Sequence, residues 1–273
     1  MVLGYNPNLT SSQLSILRRF SERGGKIIVF YSASNALGDL LGVRVGDYLR
    51  TEKPGRWSLI HFRDGSPNMP ESVTQDSMNI RPIYPASKDA RIVADWVTAD
   101  RKRGEPALVV SSRGAWMSHV LLEGDAPGKR QMLLGLLTRF DPSLWQGLAS
   151  RAMAEASRVG PYHQLSGIEQ MATGKKARGL VDRAKLLLGQ ARSLQGKGKY
   201  AAAYAQARKA HHDLEEAYAL SQRPVKEFRG VWEHDGVGWY PGDWERSCRL
   251  LSEYGMNTLL PNMLWGGVAH YPS

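Results

Sequence analysis

The chain of 273 residues contains a single cysteine, Cys248, and no long apolar run. One cysteine excludes an internal disulfide and any cysteine-based metal site, and it leaves the redox compartment open. No apolar segment approaches the about 18 to 20 residues that cross a bilayer, and the first ten residues lack the pattern of a signal peptide. We therefore expect no membrane partner, while the cellular location stays undetermined.

The composition is that of a folded protein. Hydrophobic residues make up 42% of the chain and charged residues 23%, close to the average of globular proteins. This mixture excludes a wholly disordered or collagen-like chain. The length allows one large domain or two modest ones.

The net charge of +10 is concentrated in one stretch. Residues 148–226 hold fourteen lysines and arginines against six acidic residues, which accounts for eight of the ten net positive charges. The same stretch has the strongest helical pattern, so a solvated basic helix face is the simplest interpretation. Contact with nucleic acid or an acidic surface is the alternative, of which we do not expect the nucleic-acid partner.

Residues 1–145 alternate helix and strand signals, which predicts an α/β domain with a parallel sheet. A helix is predicted over Leu9 to Arg23, opened by Thr10, Ser11 or Ser12, and a second over Ala33 to Leu41. The apolar run between them, Lys26 to Tyr31, predicts a strand buried on both faces. The remaining predicted elements are strands at residues 57–62, 91–97, 107–111 and 115–122, and a helix at 129–140. The polar segment Gln75 to Asn79 predicts a loop without a chemical role.

Residues 146–226 predict a helical connector. A turn at Gly196 to Gly198 predicts a hairpin of two helices whose small and apolar residues share one face each. Those residues are Ala184, Leu187, Leu188, Ala191 and Leu194 on the first arm, and Ala203, Ala207, Ala210, Leu214 and Ala217 on the second. His211 and Glu215 share a helix face in a spacing that can bind metal, but no third ligand is evident. We expect a solvated helix end there, no metal and no cofactor.

The composition changes again at residues 227–273, which predict a strand, a helix over Asp243 to Tyr254 and a second strand over Met256 to Pro261. One β-α-β unit cannot bury both faces of its strands. We therefore expect the chain to stop within its last domain.

This segment resembles the opening of the glycosyl hydrolase-like 10 family, whose catalytic domain is a (β/α)8 barrel. The matching motifs are Arg229 to Trp232, Leu251 to Thr258 and Gly266 to Ser273. The resemblance implies a truncated barrel and a parent protein, of bacterial type, that hydrolyses glycosidic bonds with two carboxylates. Those carboxylates belong to later strands, so we assign no catalytic residue and expect this chain alone to be inactive.

Residues 1–145 resemble the class I glutamine amidotransferase-like domain, a flavodoxin-like module. The matching pieces are Tyr5 to Leu9, Gly24 to Lys26 and Gly114 to His119. Active members carry a cysteine at the turn after the strand, where this chain has Tyr31 to Ser34, so the resemblance implies a degenerate domain. Met1 to Leu3 is similar to the tail of a strand, so we expect the first strands of the domain to be missing.

Two sets of residues are candidate site residues. Ser32 or Ser34 with His119 would form a hydrolytic dyad; the alternative is a serine that caps the following helix. Polar and aromatic residues after the two predicted barrel strands would contact sugar; the alternative is that these side chains pack the barrel mouth. Sugar contact is expected of Trp265, Asn262, Glu233, His234 and His270.

Two functions follow from these observations. The first is a fragment of a glycoside hydrolase-like protein that acts on carbohydrate, with a degenerate amidotransferase-like accessory domain. The second is a non-catalytic binding or scaffolding module that contacts an acidic polymer or a protein partner. The sugar, the linkage, the stereochemical outcome and the oligomeric state are not determined by the sequence.

Overall fold

The computed structural model describes residues 1–52, 54–98, 102–222, 227–234, 236, 238–240, 242–265 and 268–269, with the backbone alone for 265, 268 and 269. The chain divides into two compact units, Met1–Tyr218 and Ala219–Ser273. We describe each unit by itself. Within the described ranges, none of the helices has the length and apolar character needed to span a bilayer.

The described residues form strands and helices in alternation at first, and mainly helices after residue 125. The strands are β1 (Val2–Leu3), β2 (Ile27–Val29), β3 (Val43–Val45), β4 (Leu49–Arg50), β5 (Trp57–Phe62), β6 (Ser72–Ser77), β7 (Asn79–Ile80), β8 (Ile83–Pro85), β9 (Arg91–Val97), β10 (Arg103–Val110), β11 (Gly114–Met117), β12 (Gly230–Glu233), β13 (Thr258–Pro261), β14 (Leu264–Trp265) and β15 (Val268–Ala269). The helices are α1 (Ser11–Glu22), α2 (Asn35–Leu41), α3 (Ala126–Phe140), α4 (Leu144–Glu155), α5 (Leu165–Met171), α6 (Gly174–Gly196), α7 (Tyr200–Ser221) and α8 (Trp244–Glu253).

The main sheet of the first unit has seven strands in the order β1-β2-β11-β10-β9-β5-β6. β2 pairs in parallel with β1 and β11, whereas the other four pairings are antiparallel. The expected flavodoxin-like parallel sheet is therefore wrong for most of this sheet, which is mixed. The physical reason is the short link Ser111 to Arg113 between β10 and β11, because a parallel crossover needs a dozen or more residues.

Helices α1 and α2 cover one face of this sheet, and both were predicted from the sequence. Thr10 caps α1 in a reciprocal capping box with Gln13, and Ser34 caps α2. Leu17 of α1 and Leu37 of α2 are buried in one core cluster with β2. The opposite face holds a second core cluster, which α3 supplies with Met132 and Leu136.

The segment predicted as a polar loop, Gln75 to Asn79, belongs instead to β6 and β7. Val73, Gln75 and Ser77 are buried along β6 while Thr74 and Asp76 are exposed, so the strand alternates with polar residues on its inner face. The buried amide of Gln75 donates to the Val120 carbonyl at 2.6 Å and accepts from the Leu122 backbone N–H at 3.2 Å. These bonds satisfy the buried polar group, which is why the strand tolerates it.

The predicted helix hairpin is confirmed as α6 and α7. The five small and apolar residues predicted on the second arm are all fully buried, and Ala184, Leu188 and Ala191 of the first arm are buried as well. Alanines allow the backbones of neighbouring helices to approach closely. The buried carboxylate of Asp213 on α7 accepts two hydrogen bonds of 2.6 Å from Arg183 on α6.

The second unit contains the predicted β-α-β unit. β12 and β13 pair in parallel, with Gly230 opposite Thr258 and Glu233 opposite Pro261, and α8 connects them. Asp243 caps α8 by accepting a hydrogen bond from the Arg246 backbone N–H. β14 and β15 form a separate antiparallel pair.

Candidate functional site

Ser32 and His119 follow neighbouring parallel strands of the first unit. Val29 of β2 pairs with Trp116 of β11, so both strands end at the same edge of the sheet. Ser32 and His119 are both buried. The sheet therefore brings the two segments together, as a serine-histidine dyad would require.

His119 is fixed in this position by backbone and side-chain contacts. Its Nδ1 lies 3.0 Å from the Val120 carbonyl oxygen and 3.3 Å from the Gln75 side-chain Nε2. Nδ1 donates to Val120 or accepts from Gln75 according to the tautomer of the ring. Burial lowers the pKa of the His119 imidazole, and the bond to Val120 opposes this shift. The imidazole is thus neutral near pH 7.

The serines make other hydrogen bonds. Ser34 accepts from the Leu37 backbone N–H at 3.2 Å and so caps α2, while Ser32 accepts from the Ser34 backbone N–H at 3.2 Å. Within residues 1–52 and 102–222, no hydrogen bond joins either hydroxyl to His119. The two serines therefore stabilise a turn and a helix start. His119, the expected base of the dyad, is not hydrogen-bonded to either serine as a nucleophile would be.

His211 and Glu215 lie together on α7, as their spacing predicts. The His211 Nε2 is 3.3 Å from a Glu215 carboxylate oxygen, and Nδ1 is 3.0 Å from the Ala156 carbonyl oxygen. Both ring nitrogens therefore have protein partners. Among the described residues, no three His, Cys, Asp or Glu side chains are placed to hold one metal ion.

The second candidate site lies at the C-terminal ends of β12 and β13. The backbone N–H of Asn262 donates to the Glu233 carbonyl at 2.8 Å, and the Asn262 side-chain amide donates to the His234 carbonyl at 3.3 Å. These bonds bring Glu233, His234 and Asn262 together, as expected from two adjacent parallel strands.

Glu233 is turned inward. Its side chain is buried, and its carboxylate accepts a hydrogen bond of 2.6 Å from the backbone N–H of Gly236. Gly236 has a φ of +70°, a conformation that favours glycine. Glu233 therefore holds the loop that follows β12.

Trp232 is a site residue that the sequence analysis placed in a strand without assigning it a role. Leu259 of β13 faces α8, where it lines a small cavity with Leu251. Side chains alternate along a strand, so Leu260 and its paired residue Trp232 lie on the face of β12 and β13 that points away from α8. Trp232 is 68% exposed, and its ring lies 6.1 Å from the His234 ring. The sequence signal for this position was the alternation of side chains along a strand, which puts the neighbours Trp232 and Glu233 on opposite faces.

The other expected sugar contacts are placed less completely. His270 lies outside the described residues, and for Trp265 the structure gives only its backbone position in β14. Two further aromatic residues follow β12. Trp239 is partly exposed, and the Tyr240 ring lies 3.7 Å beneath the Arg246 guanidinium.

Comparisons with family models and curated proteins show no family for this chain. No protein-family model matches the chain, and no curated protein matches it; the amidotransferase-like resemblance thus gains no support. A distant structural neighbour is the alpha-L-fucosidase isoenzyme 2 from Paenibacillus thiaminolyticus, at 15% sequence identity and a TM-score of 0.37. The match covers 51% of this chain and 24% of the fucosidase chain. A likeness of this strength carries no conclusion about fold or activity.

Proposed function

We propose that the second unit contacts carbohydrate at the C-terminal ends of β12 and β13. The observation that supports this is the exposed indole of Trp232 beside the His234 ring, with the Asn262 side chain bonded to the His234 carbonyl. An exposed aromatic face stacks on the C–H face of a sugar ring, while amide and imidazole groups hydrogen-bond its hydroxyls. Glu233 supports the site by holding the neighbouring loop.

The wider proposal is that the chain is part of a glycoside hydrolase-like protein. Residues 227–273 would contribute the opening of the barrel, residues 146–226 the connector and residues 1–145 a degenerate accessory domain. Hydrolysis would fall to a carboxylate pair outside these 273 residues. We expect no turnover of polysaccharide by this chain alone.

The test is binding of neutral polysaccharides by the whole chain. Affinity electrophoresis against starch, xylan, soluble cellulose derivatives and glycol chitin identifies which polymer retards the protein. For a polymer that does, Trp232→Ala weakens binding about tenfold, because one stacking platform is removed. Asn262→Ala weakens it less, because a single neutral hydrogen bond contributes less.

Tyr254→Phe is the control, since Tyr254 is an exposed aromatic residue at the end of α8 and away from the proposed site. We expect each polymer to retard the Tyr254→Phe variant as much as it retards the parent chain in affinity electrophoresis. Binding to none of the four polymers, or equal binding by the Trp232→Ala variant, contradicts the proposal.

A second candidate function is a non-catalytic module that contacts an acidic polymer. The observation in its favour concerns Arg208 and Lys209 on α7, which are exposed and form no ion pair with any described residue. Binding to an anionic polymer that weakens steeply with added salt supports this function, because salt screens the attraction between charges. Indifference to salt contradicts it.

A further inference from the structure

A groove of about 630 Å³ runs between α6 and α7 in the first unit. Its lining combines three cationic side chains, one histidine, one apolar side chain and one carboxylate. The lining residues are Arg183, Leu187, Arg208, Lys209, His212 and Asp213.

The one acid in the described lining, Asp213, is already neutralised. Arg183 donates two hydrogen bonds of 2.6 Å to the buried carboxylate of Asp213. Arg208, Lys209 and His212 are exposed on the same helix, and no ion pair joins Arg208 or Lys209 to a described acidic residue. The groove therefore presents two cations without counter-charges to an incoming ligand.

Arg208 also lines a second groove, on an adjacent face of α7. That groove lies between α4 and α7, has a volume of about 190 Å³ and includes Tyr204 and Arg151, whose charge is paired at 2.9 Å with Glu155 of the same lining. The Arg208 guanidinium thus lines both grooves. Its charge, unpaired among the described residues, extends the positive surface of the α6–α7 groove to the rim of the second groove, which suits an extended anionic chain better than a single small anion.

We infer that this surface, defined by Arg208, Lys209 and His212 with the floor at Leu187, binds an acidic polysaccharide. The inference deepens the second candidate function and rests on it. Carboxylates spaced along a sugar chain would pair with Arg208 and Lys209, and the C–H faces of the rings would lie on Leu187 and the alkyl stems of the cations. The described lining of the α6–α7 groove holds no Phe, Tyr or Trp, so nucleic-acid bases find no stacking platform in it.

The experiment measures binding of polygalacturonate, dextran and a single-stranded oligothymidine to the whole chain at two salt concentrations. The test variant is Arg208→Gln with Lys209→Gln. The matched control is Lys197→Gln with Lys199→Gln, which removes the same charge from two exposed lysines at the hairpin turn. Glutamine suits positions 208 and 209 of α7 nearly as well as arginine or lysine, and Lys197 and Lys199 lie exposed between the two helices, so both variants keep the fold.

We expect the parent chain to bind polygalacturonate and not dextran, and the groove variant to bind about tenfold more weakly. The control variant loses only the small part of the affinity that depends on net charge. An equal loss of affinity in both variants contradicts binding at the groove, because binding then depends on total charge alone. Stronger groove-dependent binding of oligothymidine overturns the choice of polysaccharide.

The failure of this inference is distinguishable from the failure of the function on which it rests. If polygalacturonate binds in a salt-sensitive way and the groove variant binds equally well, the groove is wrong and the second candidate function stands. If neither anionic polymer binds, the groove and the second candidate function are both wrong.

Discussion

Arg63 donates two hydrogen bonds, of 2.7 and 2.8 Å, to the carboxylate of Asp95 in the middle of the main sheet. Asp95 is 1% exposed on β9, and Arg63 follows β5, its neighbour in the sheet. The hydrogen bonds to Asp95 raise the pKa of Arg63, although burial opposes this. A second arginine, Arg103, lies 3.3 Å from the same carboxylate. The sheet therefore carries a buried charge that depends on its bidentate partner.

Removing that partner should destabilise the fold strongly. In Arg63→Met the carboxylate of Asp95 stays buried with only the longer contact to Arg103. We expect the free energy of unfolding to fall by about 2 to 3 kcal/mol, because an uncompensated buried charge is costly. Urea unfolding at pH 7 measures the change.

The matched control is Arg151→Met in α4, which removes the exposed Arg151–Glu155 ion pair. Exposed pairs of this spacing contribute only about 0.3 to 0.5 kcal/mol. Similar losses in the two variants would show that Asp95 does not depend on Arg63.

His119 should make stability depend on pH. Since burial lowers its pKa in the fold, the unfolded chain binds more protons than the folded chain below about pH 6.5, the ordinary value for histidine. The contribution of His119 is therefore constant above that pH and decreases as the pH falls below it. In His119→Gln the urea midpoint falls less between pH 7 and pH 5 than in the parent chain.

His163→Gln is the control for this experiment, because the His163 side chain is exposed in the fold. Its midpoint should follow the parent curve at pH 7, 6 and 5. Parallel curves for the parent chain and the His119→Gln variant would show that His119 is not penalised when it is protonated.

Two glycines should respond to alanine in opposite directions. A Cβ at Gly114 would lie 1.9 Å from the backbone oxygen of Ile27 on the adjacent strand, whereas a Cβ at Gly189 in α6 meets no atom within 4 Å. We expect Gly114→Ala to lower the free energy of unfolding by about 3 kcal/mol through overpacking. Gly189→Ala raises it by about 0.5 to 1 kcal/mol, because alanine is the better helix former.

Thermal and urea unfolding of both variants measure these changes. The opposite signs make each glycine the control for the other, since the chemical change is the same. A neutral effect of Gly114→Ala would mean that β2 and β11 do not approach as closely as their pairing indicates.

Local signals in the sequence were sufficient for the helices and for the most apolar strands. The serines and threonine at positions 10 to 12 predicted the start of α1, and Ser32 or Ser34 was the expected cap of α2. The apolar positions of α6 and α7 predicted the faces that pack together. Helix caps and apolar periodicity depend on residues a few positions apart, so they can be read without the fold. The β-α-β order of the second unit followed from the same kind of signal.

Long-range pairing was not accessible in that way. The sequence alone did not reveal the four antiparallel pairings of the main sheet, nor β6, whose buried positions include Gln75. A polar residue indicates a loop unless its hydrogen-bond partners are known, and those of Gln75 lie some 45 residues away in the chain.

For the candidate sites too, some properties follow from the sequence and others depend on the fold. The sequence by itself determined the residue types that are available after β12 and β13 and the excess of cations in the helical region. Only the tertiary structure decided that Glu233 faces inward, that Trp232 is exposed beside His234, and that Arg208 lacks an acidic partner on the described part of the chain. The orientation and pairing of a side chain depend on neighbours that folding brings from distant positions, and no local pattern records them.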